Sequence, residues 1–135
     1  DAAMKFVEDS THSTTNSTTW GNYKDNAWKI DRTTASYTKS ASSGSWTKIT
    51  SNKSKINSEY FLLTTGASDS FKAKNIFDLA GNVDEWTMEA NNHNIGRVGR
   101  GGYYGRTGSE RPASYRCSSS PASSYDFGFR PALYL

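Results

Sequence analysis

Cysteine is nearly absent from this chain of 135 residues, which contains a single one, Cys117. One cysteine excludes an internal disulfide and a zinc site built on several cysteines. A catalytic thiol would need a histidine partner, and the two histidines, His12 and His93, lie in no recognisable motif. We therefore interpret Cys117 as an inert thiol.

Long apolar runs are also missing, and hydrophobic residues make up 34% of the chain. No stretch reaches the roughly 18 consecutive apolar residues of a membrane-spanning helix, so we expect no membrane insertion. Aromatic residues nevertheless reach 13%, with four Trp and eight Tyr. This composition predicts a core built on a few large rings.

Lysine is missing from the chain after residue 74. All nine Lys lie in residues 1–74, whereas six of the seven Arg lie in residues 97–130. Arginine without lysine is typical of recognition surfaces, because the guanidinium is planar, weakly hydrated and stacks on rings; chance in a small sample is the alternative. Because there is no basic run or helix-turn-helix pattern, we expect no nucleic-acid partner.

The N-terminal residues have the pattern of an amphipathic helix. Residues 2–7 predict the end of such a helix, with Phe6 and Val7 on its apolar side. The pattern is already under way at Asp1, so we expect the domain to extend further towards the N-terminus. Residues 9–19 are rich in turn and cap formers and predict a loop.

The following stretch is polar with widely spaced rings and aliphatic residues. Residues 33–58 are dominated by Ser, Thr and Lys. Such composition is compatible with disorder, but the spaced large apolar residues favour an ordered excursion that Trp46 pins to the core. Residues 60–65 (YFLLTT) predict a short buried strand.

Two strands are expected in the last third of the chain. The first leads from Arg97 through Arg100, after a polar loop at residues 90–96. The second closes the chain over residues 128–135, with Phe129 available to the core. Pro131 makes the closing strand an edge or bulged strand.

The segment GNVDEW predicts a tight turn with two alternative roles. Gly81 gives backbone freedom, and Asn82 tolerates a left-handed conformation. Glu85 can accept from backbone N–H groups or from a guanidinium, and pairing with Arg100 or Arg130 is expected. A hydrogen-bonded clamp and a cation site therefore both remain open.

Four motifs together resemble one family. They are NIFDLAGNVDEW (75–86), RVGRGG (97–102), Ala-x-x-Arg (113–116) and Gly-Phe-Arg (128–130). This succession resembles the formylglycine-generating-enzyme/sulfatase-modifying family, a variant of the C-type lectin fold. The resemblance implies an α+β, C-type-lectin-like domain over residues 1–135, with short strands, one or two helices and many irregular loops. It also implies calcium as a candidate cofactor, with Asn82 and Glu85 as candidate ligands.

The resemblance also shows what this chain lacks. The oxidising enzymes of the family use two cysteines shortly after Arg-Gly-Gly, at places that here correspond to Arg106 and Arg111. Without that thiol pair a copper-thiolate site is lost, so we expect no enzyme activity. A relative of the oxidases and a structural cell-surface module remain the alternatives to ligand binding.

The composition between these motifs is that of a recognition surface. Ser, Tyr, Arg and Gly make up most of residues 103–127, as in antibody-like paratopes; an ordinary polar loop is the alternative. The stretch resembles the hypervariable region of the variable proteins of diversity-generating retroelements, although Glu110 does not fit their mutable codon. That resemblance implies a variable ligand-binding region at 91–127, a protein or glycan ligand on another cell or host surface, and a location at the cell surface, in secretions or on a phage particle.

The predicted ligand-binding residues all belong to region 91–127, and we expect them to face solvent. They are Asn91, Asn92, His93, Asn94, Tyr103, Gly105, Arg106, Thr107, Ser109, Arg111, Tyr115, Cys117, Ser118, Ser119, Ser120, Ser123, Ser124, Tyr125, Asp126 and Phe127.

Overall fold

The protein combines one short helix with several small sheets. The structure, a computed structural model, describes residues 2–39, 42, 44–90, 96–120 and 124–130. In chain order the elements are α1 (Ala2–Val7), β1 (Trp28–Ile30), β2 (Ser36–Thr38), β3 (Thr47–Lys48), β4 (Lys53–Lys55), β5 (Leu62–Leu63), β6 (Lys72–Ala73), β7 (Ile76–Phe77), β8 (Asp84–Ala90), β9 (Arg97–Arg100), β10 (Arg116–Ser119) and β11 (Phe127–Phe129). This architecture agrees with the α+β class in the general sense.

The largest sheet has four strands in the order β10-β9-β8-β11. Strands β8, β9 and β10 are antiparallel neighbours, and β11 joins β8 in parallel. The register places Cys117 opposite Gly99, and Gly99 opposite Trp86. The remaining strands form a three-stranded sheet, β3-β2-β5, and two antiparallel pairs, β1-β4 and β6-β7.

Large aromatic side chains hold two hydrophobic clusters. The first consists of Trp28, Ile30, Ala35, Ile49, Phe61, Leu63, Ala67 and Phe71. The second consists of Val7, Trp20, Tyr23, Ala73, Leu79, Ala80 and Ala113. The prediction that a few rings supply the core is confirmed, since Trp20, Tyr23 and Trp28 are all buried.

The predicted N-terminal helix is present as α1, but its apolar side differs from the expectation. Val7 is fully buried and Met4 packs against the second cluster. Phe6 is 56% exposed, so its assignment to the core side was wrong. Its ring instead lies under the Lys74 ammonium, 5.2 Å from the ring centroid.

Trp46 does not pin the polar excursion. It is 46% exposed, whereas Ile49 is buried in the first cluster. The backbone N–H of Ile49 donates to Ala35 O at 2.9 Å, which ties β3 to the start of β2. Ile49 and Ala35 therefore attach this polar segment to the core, the role that the sequence predicted for Trp46.

All three predicted strands are present, and two of them, β5 and β11, are shorter than predicted. Leu62–Leu63 forms β5 within the predicted segment 60–65, while Tyr60 remains half-exposed. Strand β9 has the predicted bounds. Strand β11 lies at a sheet edge, but Phe129 is 81% exposed, so its predicted core position was wrong; residues 131–135 lie outside the described part.

Within the described residues, no helix is long and apolar enough to cross a membrane.

Candidate functional site

The turn at Gly81 joins the two halves of the chain. Gly81 has φ +71°, and a Cβ at this position would lie 2.5 Å from Asn22 O. Only glycine fits such a close approach in this conformation. The Gly81 N–H donates to Gly101 O at 2.7 Å, and Tyr23 Oη donates to the same oxygen at 2.9 Å.

Asn82 is the centre of a buried amide network. It has the predicted left-handed backbone, with φ +65°. Its Oδ1 accepts from Leu63 N at 3.0 Å and from Asn22 Nδ2 at 2.9 Å, and its Nδ2 donates to Leu63 O at 3.0 Å. Asn22 continues the network by donating to Phe61 O at 2.8 Å. The side chain of Asn82 therefore takes the place of a missing strand neighbour beside β5.

Glu85 pairs with Arg130, one of the two expected partners. Arg130 donates through Nε to Glu85 Oε2 at 3.0 Å and through Nη2 to Glu85 Oε1, which makes the pair bidentate. The other candidate, Arg100, instead donates to Glu89 Oε2 at 3.0 Å, and Arg116 pairs with the same carboxylate. These ion pairs join β8 to β9, to β10 and to the end of β11.

The residues predicted for calcium do not fit a cation site. Asn82 is 3% exposed and its amide oxygen already accepts two hydrogen bonds, while both carboxylate oxygens of Glu85 bind Arg130. Calcium takes six to eight oxygen ligands. Among the described residues there is no group of three or more His, Cys, Asp or Glu side chains able to hold a metal. The hydrogen-bonded clamp, the alternative role of this turn, accounts for these bonds of both side chains.

The backbone of residues 101–115 is held by groups from residues 14–25 and by Asn82. Backbone bonds run from Tyr104 N to Asn82 O (3.1 Å), from Lys24 N to Arg106 O (3.0 Å), from Ser17 N to Gly108 O (3.0 Å) and from Ser114 N to Thr14 O (2.9 Å). Scaffold side chains add two more, Asp25 Oδ1 to Gly108 N (3.0 Å) and Ser17 Oγ to Ala113 N (2.9 Å). None of these six bonds uses a side chain of residues 101–115.

Four predicted site residues form an arginine–tyrosine cluster, which consists of Tyr103, Arg106, Arg111 and Tyr115. The Arg111 guanidinium lies between two rings, 5.3 Å from the Tyr103 centroid and 4.7 Å from the Tyr115 centroid. Arg106 lies 5.9 Å from the Tyr103 centroid and donates through Nε to Tyr103 Oη at 3.2 Å. Stacking of this kind orders long side chains at a surface.

A buried carboxylate lies beneath the cluster. Asp84 is fully buried at the start of β8, and its Oδ2 accepts from Arg111 Nη1 at 3.2 Å. Its Oδ1 has no hydrogen-bond partner among the described residues. Burial raises the pKa of Asp84 to about 6, and the charge of Arg111 opposes that rise. Asp84 was not among the residues predicted from the sequence. A signal was available, because Asp84 directly precedes Glu85 and adjacent residues of a strand face opposite sides of the sheet.

The predicted residues on β10 and β11 differ in accessibility. Ser118 and Ser119 are exposed on the edge strand β10, and Cys117 is half-buried, with its Sγ 3.6 Å from Gly99 O. Phe127 is half-buried and stacks on Trp86, with 4.1 Å between the centroids. Phe127 therefore packs on the frame, whereas the two serines face solvent.

The remaining predicted site residues lie on loops. Arg106, Ser109, Ser120, Ser124 and Tyr125 are exposed, and Gly105, Thr107 and Asp126 are half-buried. Ser124 Oγ bonds to Asp126, whose backbone O accepts from Asp84 N at 2.8 Å. The predictions for Asn91, Asn92, His93, Asn94 and Ser123 fall outside the described residues.

Cys117 has the surroundings of an unreactive thiol. Burial raises its pKa, so the thiol is protonated at neutral pH. His12 pairs with Asp9, and the centroid of its ring lies 5.4 Å from that of Trp20. His93 lies outside the described part.

No family model, no curated protein and no solved structure matches this chain.

Proposed function

We propose that the chain is a non-catalytic ligand-binding protein of the receptor or adhesin type. In this proposal the domain has the C-type lectin fold in its formylglycine-generating-enzyme form and displays a diversified surface, as the variable proteins of diversity-generating retroelements do. The ligand is a protein or a glycan on another cell or host surface. The surface consists of the exposed side chains between residues 103 and 127.

The observation that carries this proposal is the way in which residues 101–115 are anchored. Six bonds, to Asn82, Lys24, Ser17, Thr14 and Asp25, use only the backbone of the loop. The side chains of Tyr104, Arg111 and Ala113 add buried contacts to the frame, so the anchoring does not involve exposed side chains such as Arg106. A loop held through its backbone keeps its course when its exposed side chains change. This is the property that a diversified surface requires.

The chemistry of the exposed and half-buried side chains supports recognition. The cluster of Tyr103, Arg106, Arg111 and Tyr115 presents rigid rings and ordered guanidinium groups, which dominate binding energy at protein interfaces. Exposed Ser118 and the other loop serines add small, adaptable hydrogen-bonding groups.

The rival function, that of an oxidase relative, has little chemical support in these residues. Arg106 and Arg111 stand where the resemblance places the two cysteines of the enzymes. Arg111 is committed to Asp84 and to two rings, and Cys117 is half-buried with a raised pKa. Turnover of a cysteine-containing peptide with added copper or iron would refute the proposal.

The experiment that tests the proposal is sequencing of this locus from several isolates. We expect substitutions to concentrate at adenine-containing codons for exposed positions such as Arg106, Ser109 and Ser118. The codons for Gly81, Asn82 and Gly102 should remain unchanged. Substitutions spread evenly over the chain would contradict the proposal.

A further inference from the structure

A continuous ridge of rings and guanidinium groups extends beyond the predicted binding region. The buried Tyr104 ring lies next to the half-buried Tyr103 and the exposed Tyr60, with its centroid 5.8 Å from that of Tyr103 and 6.1 Å from that of Tyr60. Tyr60 is 50% exposed and belongs to the N-terminal half of the chain. We call the set Tyr60, Tyr103, Tyr104, Arg106, Arg111 and Tyr115 the ridge.

The two arginines of the ridge differ in their charge balance. Arg111 has the buried carboxylate of Asp84 as its partner. Arg106 has no carboxylate within ion-pair distance among the described residues, and Glu110 acts on it only at longer range. The ridge therefore presents one exposed positive charge that no neighbouring carboxylate in the described part of the chain neutralises at contact.

The Arg106 guanidinium is ordered before any ligand arrives. Its Nε donates to Tyr103 Oη at 3.2 Å, and its carbon lies 5.9 Å from the ring centroid. An arginine has five N–H donors, so the bond through Nε leaves the two terminal nitrogens available. A carboxylate can bind this pair of nitrogens in a bidentate manner, and little side-chain entropy is lost on binding.

A shallow pocket lies beside Tyr60 at the other end of the ridge. It has a volume of about 210 Å³ and is lined by Lys39, Glu59, Tyr60 and Phe61. Pockets for drug-sized ligands measure roughly 300–1,000 Å³. The pocket therefore fits one side chain of a partner better than a whole small-molecule ligand.

We propose that the ridge docks an acidic segment of a partner protein, with a carboxylate on Arg106 and an apolar side chain against Tyr60. The inference rests on the proposed function and deepens it. The charge complementarity at Arg106 favours an acidic partner, and the rings of Tyr60 and Phe61, which line the pocket together with Lys39 and Glu59, favour an apolar side chain. The binding surface then includes a residue outside 91–127.

The test is binding of a hexapeptide of alternating Glu and Leu, followed by NMR of the labelled protein and by isothermal titration. A peptide of alternating Lys and Leu is the control ligand. We expect the Glu-Leu peptide to shift the side-chain signals of Arg106 and Tyr60, and the Lys-Leu peptide to shift neither. Arg106→Ala should weaken binding roughly tenfold, since a hydrogen-bonded charge pair is lost.

Arg97→Ala is the matched control variant, because Arg97 is also an exposed arginine without a carboxylate partner among the described residues and lies on β9. It removes the same charge and should weaken binding less than about twofold, as exposed charges away from the contact do. Arg106→Lys should restore only part of the affinity, because lysine lacks the planar fork. Tyr60→Ala should weaken binding about fivefold, the cost typical of a ring at an interface.

Three results would overturn the inference. They are absence of Glu-Leu binding at millimolar concentration, equal losses for Arg106→Ala and Arg97→Ala, and binding of a thymidine hexanucleotide at Arg106 as tight as that of the peptide. Any of these, together with codon variation confined to exposed positions, would refute the acidic partner but not the proposed function. Uniform variation among isolates would remove the proposed function itself.

Discussion

At the scale of single residues, Asn82 links the frame to the candidate surface. Its side chain makes three bonds to Leu63 and Asn22, and its backbone O accepts from Tyr104 N. The left-handed backbone costs an ordinary residue about 1–2 kcal/mol, which asparagine reduces. One residue therefore fixes both β5 and the start of the loop that carries the ridge.

Asn82→Ala is expected to lower the free energy of unfolding by about 3–5 kcal/mol, because buried polar partners on Leu63 and Asn22 are left unsatisfied. Asn75→Ala is the matched control. Asn75 has φ +71° but is exposed, so its replacement should cost only about 1 kcal/mol. Urea denaturation of both variants measures the difference, and equal losses would show that the backbone conformation, not the amide network, explains the effect.

The two buried carboxylates give the stability an unusual dependence on pH. Burial raises the pKa of Asp84 and of Asp78 to about 6, above their usual value of 3.8. The folded state therefore binds these protons more tightly than the unfolded state, so stability rises as pH falls from 7 towards 5. Carboxylates whose pKa is lowered, such as Glu89 and Asp69, lose their contribution only at lower pH.

We expect the free energy of unfolding to increase by about 1–3 kcal/mol between pH 7 and pH 5 in the wild-type protein. Asp84→Asn should flatten that slope by about half, and Asp78→Asn should do the same independently. Urea unfolding curves at pH 7, 6 and 5 provide the measurement. A wild-type stability that falls over this range would contradict the account.

The sequence predicted single residues well where one residue type serves one geometry. Asn82 was predicted in a left-handed turn because few residues tolerate it, and Glu85 was expected to pair with Arg100 or Arg130, of which Arg130 is the partner. The bond between Asp84 and Arg111 was missed. It joins residues 27 positions apart, and the burial that makes Asp84 important depends on packing from several elements.

At the scale of elements, the polar strand β4 contains a buried lysine. Lys55 is buried, and its three ammonium N–H groups lie within hydrogen-bond distance of four backbone oxygens, those of Lys24, Asn26, Ile56 and Glu59. It joins the loop before β1 to the turn after β4. Burial lowers its pKa, and Asp25 and Glu59 oppose the shift.

Lys55→Met should destabilise the protein by about 2–4 kcal/mol, since the carbonyls around the ammonium lose a buried donor. Lys53→Met on the same strand is the control. The Lys53 ammonium lies over the Phe61 and Tyr37 rings, at 4.4 and 5.1 Å, and such contacts contribute only about 0.5–1 kcal/mol. Thermal unfolding of the two variants measures the difference in stability. Equal changes would argue against a structural role for the carbonyl oxygens around Lys55.

Elements with a clear apolar pattern were predicted, and those without one were not. Strands β5 and β9 and the helix α1 contain apolar residues that are buried, among them Leu62, Val98 and Val7, and they lie at their expected positions. Strands β2 to β4 come from a stretch of Ser, Thr and Lys, where Trp46 is exposed and Lys55 is buried. Lysine is rarely buried, so propensity assigns such a stretch to the surface.

At the scale of the whole molecule, the frame and the surface place separate demands on sequence. The frame depends on particular side chains, such as Asn22, Asn82 and Tyr23, whose bonds cross between the two halves of the chain. The loop from 101 to 115 is anchored mainly through its backbone, and the Arg111 side chain adds a bond to Asp84. The composition of the loop predicted recognition, but its anchoring could not be predicted, because its partners lie about 80 to 100 residues earlier.

A saturation scan of residues 80–120, with resistance to proteolysis as the measure of folding, tests this separation most directly. We expect most substitutions at Arg106, Ser109 and Ser118 to change stability by less than about 0.5 kcal/mol. Most substitutions at Asn82 and Gly102 should abolish folding; at Gly102, with φ +71°, a Cβ would lie 2.1 Å from Arg111 O. Equal tolerance at the two sets of positions, or greater tolerance in the frame, would contradict the account.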